Sequence, residues 1–172
     1  MPMTDSTVVS LPQHEAPSTA QLEELLALQR NVLQEIVNGT DLDALLDDLC
    51  RMVEDQVPGT VASVMLFDPE ANTLRLRSAP SLPAEATEAF SCLTPGEGQG
   101  SCGNAVFKAT PVFVADALVD PRWSNLRDVA KRFGIRHCWS IPVLGQDRKP
   151  VGTLAITGFE VREPSGFHMR LL

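Results

Sequence analysis

Apolar residues recur at helical spacing in two successive segments near the start of the chain. The first segment opens with Ser18-Thr19-Ala20-Gln21, which has the pattern of a capping box, and its apolar stripe continues to Val37. Asn38-Gly39 is a helix-stop signal, and a second stripe then runs from Leu42 to Val53. We therefore expect two helices, the second beginning near residue 40 or 41 and ending at Val57-Pro58-Gly59.

Strand patterns dominate the rest of the chain. "TVASVMLFD" (60–68) is apolar on both faces, which predicts a central strand, and "TLRLRSA" (73–79) alternates Leu with Arg as a half-exposed strand does. "PVFVAD" (111–116) predicts a further strand, and "IRHCWSIPVL" (135–144) and "PVGTLAITGF" (150–159) predict a second hairpin.

Short helical segments lie between these strands, at residues 83–90, 104–109 and 125–133, and the chain stops in what looks like the first turn of a last helix. Two hairpins make a largely antiparallel sheet, which helices must cover. The pattern thus predicts an α+β fold with a central antiparallel sheet of about five to six strands and helices on both faces.

Gly98-Gln99-Gly100-Ser101-Cys102-Gly103 matches G-x-G-x-x-G, the spacing of a dinucleotide-binding turn. That turn requires an apolar strand directly before it, within a βαβ unit. Here the preceding segment "SCLTPGE" is short and polar, and no βαβ repeat is present. We interpret the glycines as a sharp turn before a short helix, where residues 101–104 offer free backbone N–H groups to an anion or a carbonyl.

Composition excludes several classes of function. A formal charge of −8 argues against nucleic-acid binding, and no apolar run approaches the roughly 20 residues that span a bilayer. The N-terminus lacks the basic segment and apolar block of a signal peptide, so we expect a cytoplasmic protein with no membrane partner. Its four cysteines contain no C-x-x-C pair, so we expect reduced thiols and no metal.

Five segments together resemble a GAF domain. They are Gly100-Ser101-Cys102-Gly103, Pro111 to Asp116, Asp120-Pro121-Arg122-Trp123, Cys138 to Pro142 and Val151 to Leu154, in the order and spacing of that family. The resemblance is to the sensory GAF domains of bacterial proteins that carry diguanylate cyclase, phosphodiesterase or histidine kinase domains. It implies a PAS-related sheet with a helical pair on one face and a small-molecule pocket on the other, under the short helices and the glycine loop.

The resemblance also implies a domain organisation. We expect residues 1–17 to be a flexible leader and residues 18–172 to be a single GAF domain, with an N-terminal helix for homodimerisation and a truncated C-terminal helix. The chain contains no motif of an output domain, so we expect one to be covalently linked in the full-length protein. The expected partner is a small-molecule effector, with no cofactor.

From the resemblance and the polar pattern we expect seven residues to bind the ligand: Cys92, Ser101, Cys102, Asp116, Trp123, Cys138 and Ser140. Each also has a structural interpretation. Cys102 and Cys138 fit a core, Asp116 fits the cap of a turn, and Trp123 fits an anchor for its loop. Trp139 follows Cys138, so the two should face opposite sides of the sheet.

One GAF branch is enzymatic and reduces free methionine sulfoxide with cysteines. Cys92 and Cys102 have the spacing of that branch, but residues 119–132 lack its further cysteine. Ala155 and Thr157 stand where that branch has two aspartates, and Cys138 stands where it has a further acid. We therefore expect no catalytic residue in this domain, and keep a redox enzyme and a ligand-free dimerisation scaffold as alternatives.

A thiol nucleophile also needs a neighbouring base. His137 is next to Cys138 but should face the other side of the strand, and His14 and His168 fall in segments that look poorly ordered. The sequence therefore predicts no base beside the thiols.

Overall fold

The structure is a computed structural model that describes residues 18–172. Its helices are α1 Thr19–Val37, α2 Leu42–Gln56, α3 Ala84–Ala89, α4 Gly100–Lys108, α5 Arg127–Phe133 and α6 His168–Leu171, and a 3-10 turn spans Pro121–Trp123. Its strands are β1 Thr60–Asp68, β2 Thr73–Ser78, β3 Cys92–Leu93, β4 Val112–Val114, β5 His137–Leu144 and β6 Pro150–Gly158. None of the helices described is long and apolar enough to cross a bilayer.

The six strands form one sheet in the order β3-β2-β1-β6-β5-β4. Every neighbouring pair is antiparallel. This confirms the predicted α+β architecture and excludes a parallel dinucleotide-binding sheet around Gly98 and Gly103. The two-residue strand β3 was not predicted, since a strand so short leaves no periodic signal.

The helix boundaries follow from local signals in the sequence. Ser18 and Gln21 make the reciprocal bonds of a capping box at the start of α1: the Ser18 Oγ accepts from the Gln21 N–H at 3.2 Å, and the Gln21 Oε1 accepts from the Ser18 N–H at 3.0 Å. Asn38 caps the end of α1, and Asp41 caps the start of α2 by accepting from the Asp43 N–H. The expected leader, residues 1–17, lies outside the described residues.

The sheet separates two apolar layers. On one face, here called the helical face, the sheet packs against α1, α2 and α6. The buried residues of this layer are Cys50, Val53, Val57, Ala62, Val64, Trp139, Ile156 and Leu171. On the other, here called the cavity face, it packs against the short helices between β2 and β5. Cys138 belongs to the cavity face and Trp139 to the helical face, which confirms the predicted alternation along β5.

Two histidines and a tryptophan form a buried aromatic stack on the helical face. The ring of Trp139 lies 4.6 Å from that of His137 and 4.8 Å from that of His168, measured between centroids. The His137 Nδ1 lies 2.7 Å from the Glu160 carbonyl oxygen, to which it donates. Gly158 leaves room for this ring, because a Cβ there would collide with His137. The prediction that His168 lies in a poorly ordered end is therefore wrong: its side chain is buried against Trp139.

Burial lowers the pKa of both histidines. For His168 the positive charge of Arg162 acts in the same direction, and the Arg162 guanidinium lies 5.8 Å above the Trp139 ring. Both imidazoles therefore stay neutral at a pH at which they would be protonated in water.

This depressed pKa predicts an acid-sensitive fold. The free energy of unfolding should be flat above about pH 6.5, the ordinary pKa of His, and should fall as the pH decreases further. In that range the histidines of the unfolded chain become protonated, whereas those of the folded chain stay neutral until the pH reaches their lower pKa. Urea denaturation in steps from pH 7.5 to 5.5 measures the effect above the range in which carboxylates ordinarily titrate. Every sample carries His14→Gln, so that His137 and His168 are the remaining histidines.

His168→Phe is the matched variant, since it keeps a ring against Trp139 and removes one titrating group. Its stability should depend less steeply on pH than that of the parent protein. Identical pH profiles for the two proteins would contradict the assignment.

Candidate ligand cavity

A small cavity lies between the cavity face of the sheet and a roof made of α3, α4, α5 and the 3-10 turn. Its volume is about 50 Å³. The cavity is lined by Val61, Ser63, Met65, Leu76, Leu82, Phe90, Leu93, Gly100, Ser101, Cys102, Trp123, Leu126, Ile135, Cys138 and Thr157. No acidic or basic side chain of the described residues is among them.

The strand register sets the floor of the cavity. Val61, Thr157 and Cys138 are paired across β1, β6 and β5, so their side chains share a face. Ser63, Ala155 and Ser140 form the next row in the same way. The two rows lie two residues apart along each strand, and strand residues alternate between faces, so both rows belong to the cavity face.

The glycine loop places the roof. Gly98 and Gly100 have φ values of 76° and 71°, a left-handed conformation that other residues adopt at a cost. They complete the turn before α4, so the helix begins at Gly100 and the predicted start at Asn104 is wrong. A Cβ at Gly100 would lie 3.0 Å from the Leu126 side chain, so the glycine also permits close packing within the roof.

Ser101 joins the roof to the sheet. Its hydroxyl donates to the Cys138 carbonyl oxygen at 2.8 Å and accepts from the Trp123 Nε1–H at 3.1 Å. Both bonds are buried, and Trp123 in turn meets the ring of Phe90 edge-on at 6.4 Å between centroids. The predicted anchoring role of Trp123 is thus observed, and it depends on Ser101.

Two thiols line the cavity, that of Cys102 on α4 and that of Cys138 on β5. A hydrogen bond from the Cys138 thiol lowers the pKa of Cys102, against the opposing effect of burial, and the same partnership together with burial raises the pKa of Cys138. The Ser140 hydroxyl donates to the Cys102 sulfur at 3.5 Å, and the Thr157 hydroxyl donates to the Cys138 sulfur at 3.5 Å. A negative charge in this pair therefore favours Cys102.

The structure brings together five of the seven predicted ligand-binding residues. Ser101, Cys102, Trp123 and Cys138 line the cavity, and Ser140 is buried directly behind Cys102. Their contact with a ligand stays a prediction.

The other two lie outside the cavity lining. Cys92 is exposed on β3, opposite Arg75. Asp116 binds the Arg136 guanidinium at 2.9 Å and accepts from the Leu118 N–H at 3.1 Å, so it caps a turn. Arg136 holds the pKa of this carboxyl below its usual value.

Sequence reasoning missed most of the apolar wall and two of its polar groups, Ser63 and Thr157. The alternation of Val61, Ser63 and Met65 indicates that these three share a face, but an all-apolar strand does not show which face meets a cavity. Among the described residues, no group of three or more His, Cys, Asp or Glu side chains is placed to hold a metal.

An antiparallel sheet that packs a helical pair on one side and a cavity under short helices on the other is a GAF-like α+β architecture. A family model of the GAF domain matches residues 39–172. The chain belongs to the GAF domain family, as its sequence motifs predicted.

Individual relatives agree with this assignment. The chain is 30% identical over 144 residues to the methyl sulfide methyltransferase-associated sensor of Methanosarcina acetivorans, a match that covers 84% of this chain and 14% of that protein. The chain thus spans about one seventh of the length of this curated relative. Together with the family assignment, the likeness supports a sensory GAF domain.

Solved structures share the fold. The GAF domain of a phosphoenolpyruvate-protein phosphotransferase from Coxiella burnetii superposes with a TM-score of 0.72 at 19% identity, covering 90% of this chain and 88% of that one. The free methionine-R-sulfoxide reductase of Neisseria meningitidis superposes with a TM-score of 0.70 at 20% identity, covering 92% and 86%. At these identities the likeness concerns the fold alone.

The two buried bonds of Ser101 make a testable contribution to stability. Ser101→Ala removes the acceptor of the Trp123 N–H and one donor to the Cys138 carbonyl, both in a buried layer. It should lower the free energy of unfolding by about 1 to 3 kcal/mol. Urea denaturation measures it. Ser81→Ala is the control, because Ser81 donates to Glu54 on the exposed surface and its loss should change stability by less than about 0.5 kcal/mol. Equal effects of the two substitutions would show that Ser101 does not hold the roof.

Proposed function

We propose that this chain is a ligand-binding sensory domain whose cavity takes a small, uncharged and largely apolar effector. The observation that carries this proposal is the lining of the cavity. Its polar groups within the described residues are hydroxyls and thiols, such as those of Ser63, Ser101 and Thr157, on otherwise apolar walls. A charged ligand would lose its hydration here without gaining an opposite charge, which costs several kcal/mol.

The volume of the cavity limits the effector further. About 50 Å³ admits a molecule of only a few heavy atoms. A larger effector would have to displace the roof, where Trp123 and Leu126 pack over the sheet. Displacing the roof would break the Ser101 bonds, so small effectors are favoured.

The proposed signalling mechanism uses the first helix. α1 exposes large apolar residues, including Leu26, Leu33 and Val37 at 64%, 62% and 81%. Burial of such a surface against a second copy of the chain is favourable, at about 25 cal/mol per Å². An effector that prefers one packing of the paired helices would then shift their equilibrium and so regulate a linked output domain for cyclic-di-GMP turnover or phosphoryl transfer. A cytoplasmic location belongs to the same proposal.

The redox-enzyme alternative has one feature in its favour, the activated thiol of Cys102. Against it, the cavity floor carries Ala155 and Thr157 where the reductase branch has acids, so the described part of the chain offers no carboxylate there to pair the substrate amine. Thiol-dependent turnover of methionine sulfoxide, abolished by Cys102→Ser, would establish the enzyme and overturn the sensory proposal.

Filling the cavity tests the sensory function directly. Ser63→Leu places a larger apolar side chain in the lining and should exclude any ligand, whereas Ser63→Ala changes the volume little. Native mass spectrometry of the purified proteins should find a carried molecule on the parent and on Ser63→Ala, and none on Ser63→Leu.

Xenon provides a second probe, because it binds dry apolar cavities. Dissolved xenon should shift the NMR signals of lining residues such as Met65 and Leu93 in the parent and in Ser63→Ala, but not in Ser63→Leu. A parent protein with no carried molecule and no xenon response would have a plugged core, as the scaffold alternative requires.

A further inference from the structure

The paired thiols of Cys102 and Cys138 have no assigned role in a binding site for a neutral effector. Both line the cavity, on opposite sides: Cys102 comes from the first turn of α4 and Cys138 from β5 below it. They are 8% and 3% exposed, so a reagent reaches them through the cavity rather than at the surface.

The surroundings of the pair favour one sulfur as a nucleophile. Cys102 is the third residue of a nine-residue helix, where the backbone N–H groups and the helix dipole stabilise negative charge. The Ser140 hydroxyl donates to its sulfur. Thr153, which is fully buried and pairs with Met65 on the cavity face, also lowers the pKa of Cys102 through its hydroxyl. The second sulfur of the pair, that of Cys138, lines the same cavity from the strand below.

We propose that Cys102 and Cys138 are a redox pair that small hydroperoxides convert to a disulfide across the cavity. The Cys102 thiolate attacks the distal peroxide oxygen, which breaks the O–O bond and leaves Cys102 as a sulfenic acid, while the released hydroxide or alkoxide takes up a proton. The Cys138 sulfur then attacks the Cys102 sulfur and forms the S–S bond, and water leaves with the sulfenic oxygen. The two thiols lose two electrons, and the peroxide gains them.

The geometry supports closure of this bond. The Ser101 hydroxyl, next to Cys102, lies 2.8 Å from the Cys138 carbonyl oxygen, and the Cys102 sulfur lies 3.5 Å from the hydroxyl of Ser140, two residues along β5 from Cys138. Cys102 is thus placed directly over the part of β5 that carries Cys138, and a disulfide requires the two Cβ atoms to come about 3.5 to 4.5 Å apart. The small cavity also selects the oxidant, since about 50 Å³ admits hydrogen peroxide and excludes a bulky disulfide such as oxidised glutathione.

The other two cysteines are internal controls. Cys50 lies on the helical face, where burial raises its pKa to about 11 and so keeps it a thiol at neutral pH. Cys92 is exposed, so it would react without selection for the size of the oxidant.

The test uses the full 172-residue chain carrying Cys92→Ser, which removes the exposed thiol. This protein is treated with a small excess of hydrogen peroxide. Of three remaining thiols, two should disappear, the protein should become two hydrogen atoms lighter, and peptide mapping should link Cys102 to Cys138. Dithiothreitol should restore both thiols. Oxidised glutathione at the same concentration should react roughly tenfold more slowly or not at all.

Matched variants in the same background separate the steps. Cys138→Ser should stop at a Cys102 sulfenic acid that dimedone traps, and Cys50→Ser should leave the rate of oxidation unchanged. Three outcomes in the Cys92→Ser protein would each overturn the proposal. They are the persistence of all three thiols, a link that involves Cys50, and over-oxidation of Cys102 without a link. Because the map is made on a chain with both thiols intact, the test does not depend on how well the variants fold, nor on whether the cavity binds an effector.

Discussion

The buried hydroxyl of Ser101 connects the roof of the cavity to the sheet. It donates to the Cys138 carbonyl below and accepts from the Trp123 indole above, and all three residues are buried. Buried polar groups that lose their partner cost far more than the same groups at the surface, so this bridge fixes the height of the roof. The glycine loop serves the same end, because Gly98 and Gly100 turn the chain so that α4 presents Ser101 to both partners.

The same strand carries the cavity and the helical layer. Cys138 faces the cavity, and its neighbour Trp139 is held in the stack with His137 and His168 on the opposite face. The two residues share a peptide bond, so a ligand or a new covalent bond that shifts the β5 backbone at Cys138 also shifts Trp139. His168 is the first residue of α6, and α1 packs on the same layer as Trp139, so β5 contacts both the proposed sensing site and the layer that contains α1.

Much of this arrangement could be predicted from local patterns. The two long helices, the strands from 60 and 137, and the alternation of Cys138 with Trp139 depend on capping residues and on periodicity, which are properties of short segments. The start of α4 could not be predicted in this way, because glycine is a poor helix former and is placed at Gly100 for its turn and its packing.

Tertiary contacts account for the other differences between prediction and structure. His168 resembles a solvated residue in a polar segment and is buried only because Trp139 offers a ring to pack against. Asp116 carries the polarity of a ligand-binding residue, but Arg136, distant in sequence, neutralises it at the edge of the sheet. The cavity has walls from β1, β2, β5 and β6, and no local pattern reveals which strand face will meet the roof.

The chemistry of the cavity follows from what its floor lacks. An acid at position 155 or 157 would pair a substrate cation, but Ala155 and Thr157 leave the floor neutral. A neutral floor does not destabilise a thiolate by charge repulsion. Among the residues that the structure describes, no carboxylate lines the cavity to raise the pKa of Cys102, and the hydroxyls of Ser140 and Thr153 lower it. Ala155 and Thr157, in place of the acids of the reductase branch, therefore remove the group that would bind an amino acid but leave the nucleophilic sulfur of Cys102. In this cavity such a sulfur is suited to oxidants small enough to enter without a charged anchor.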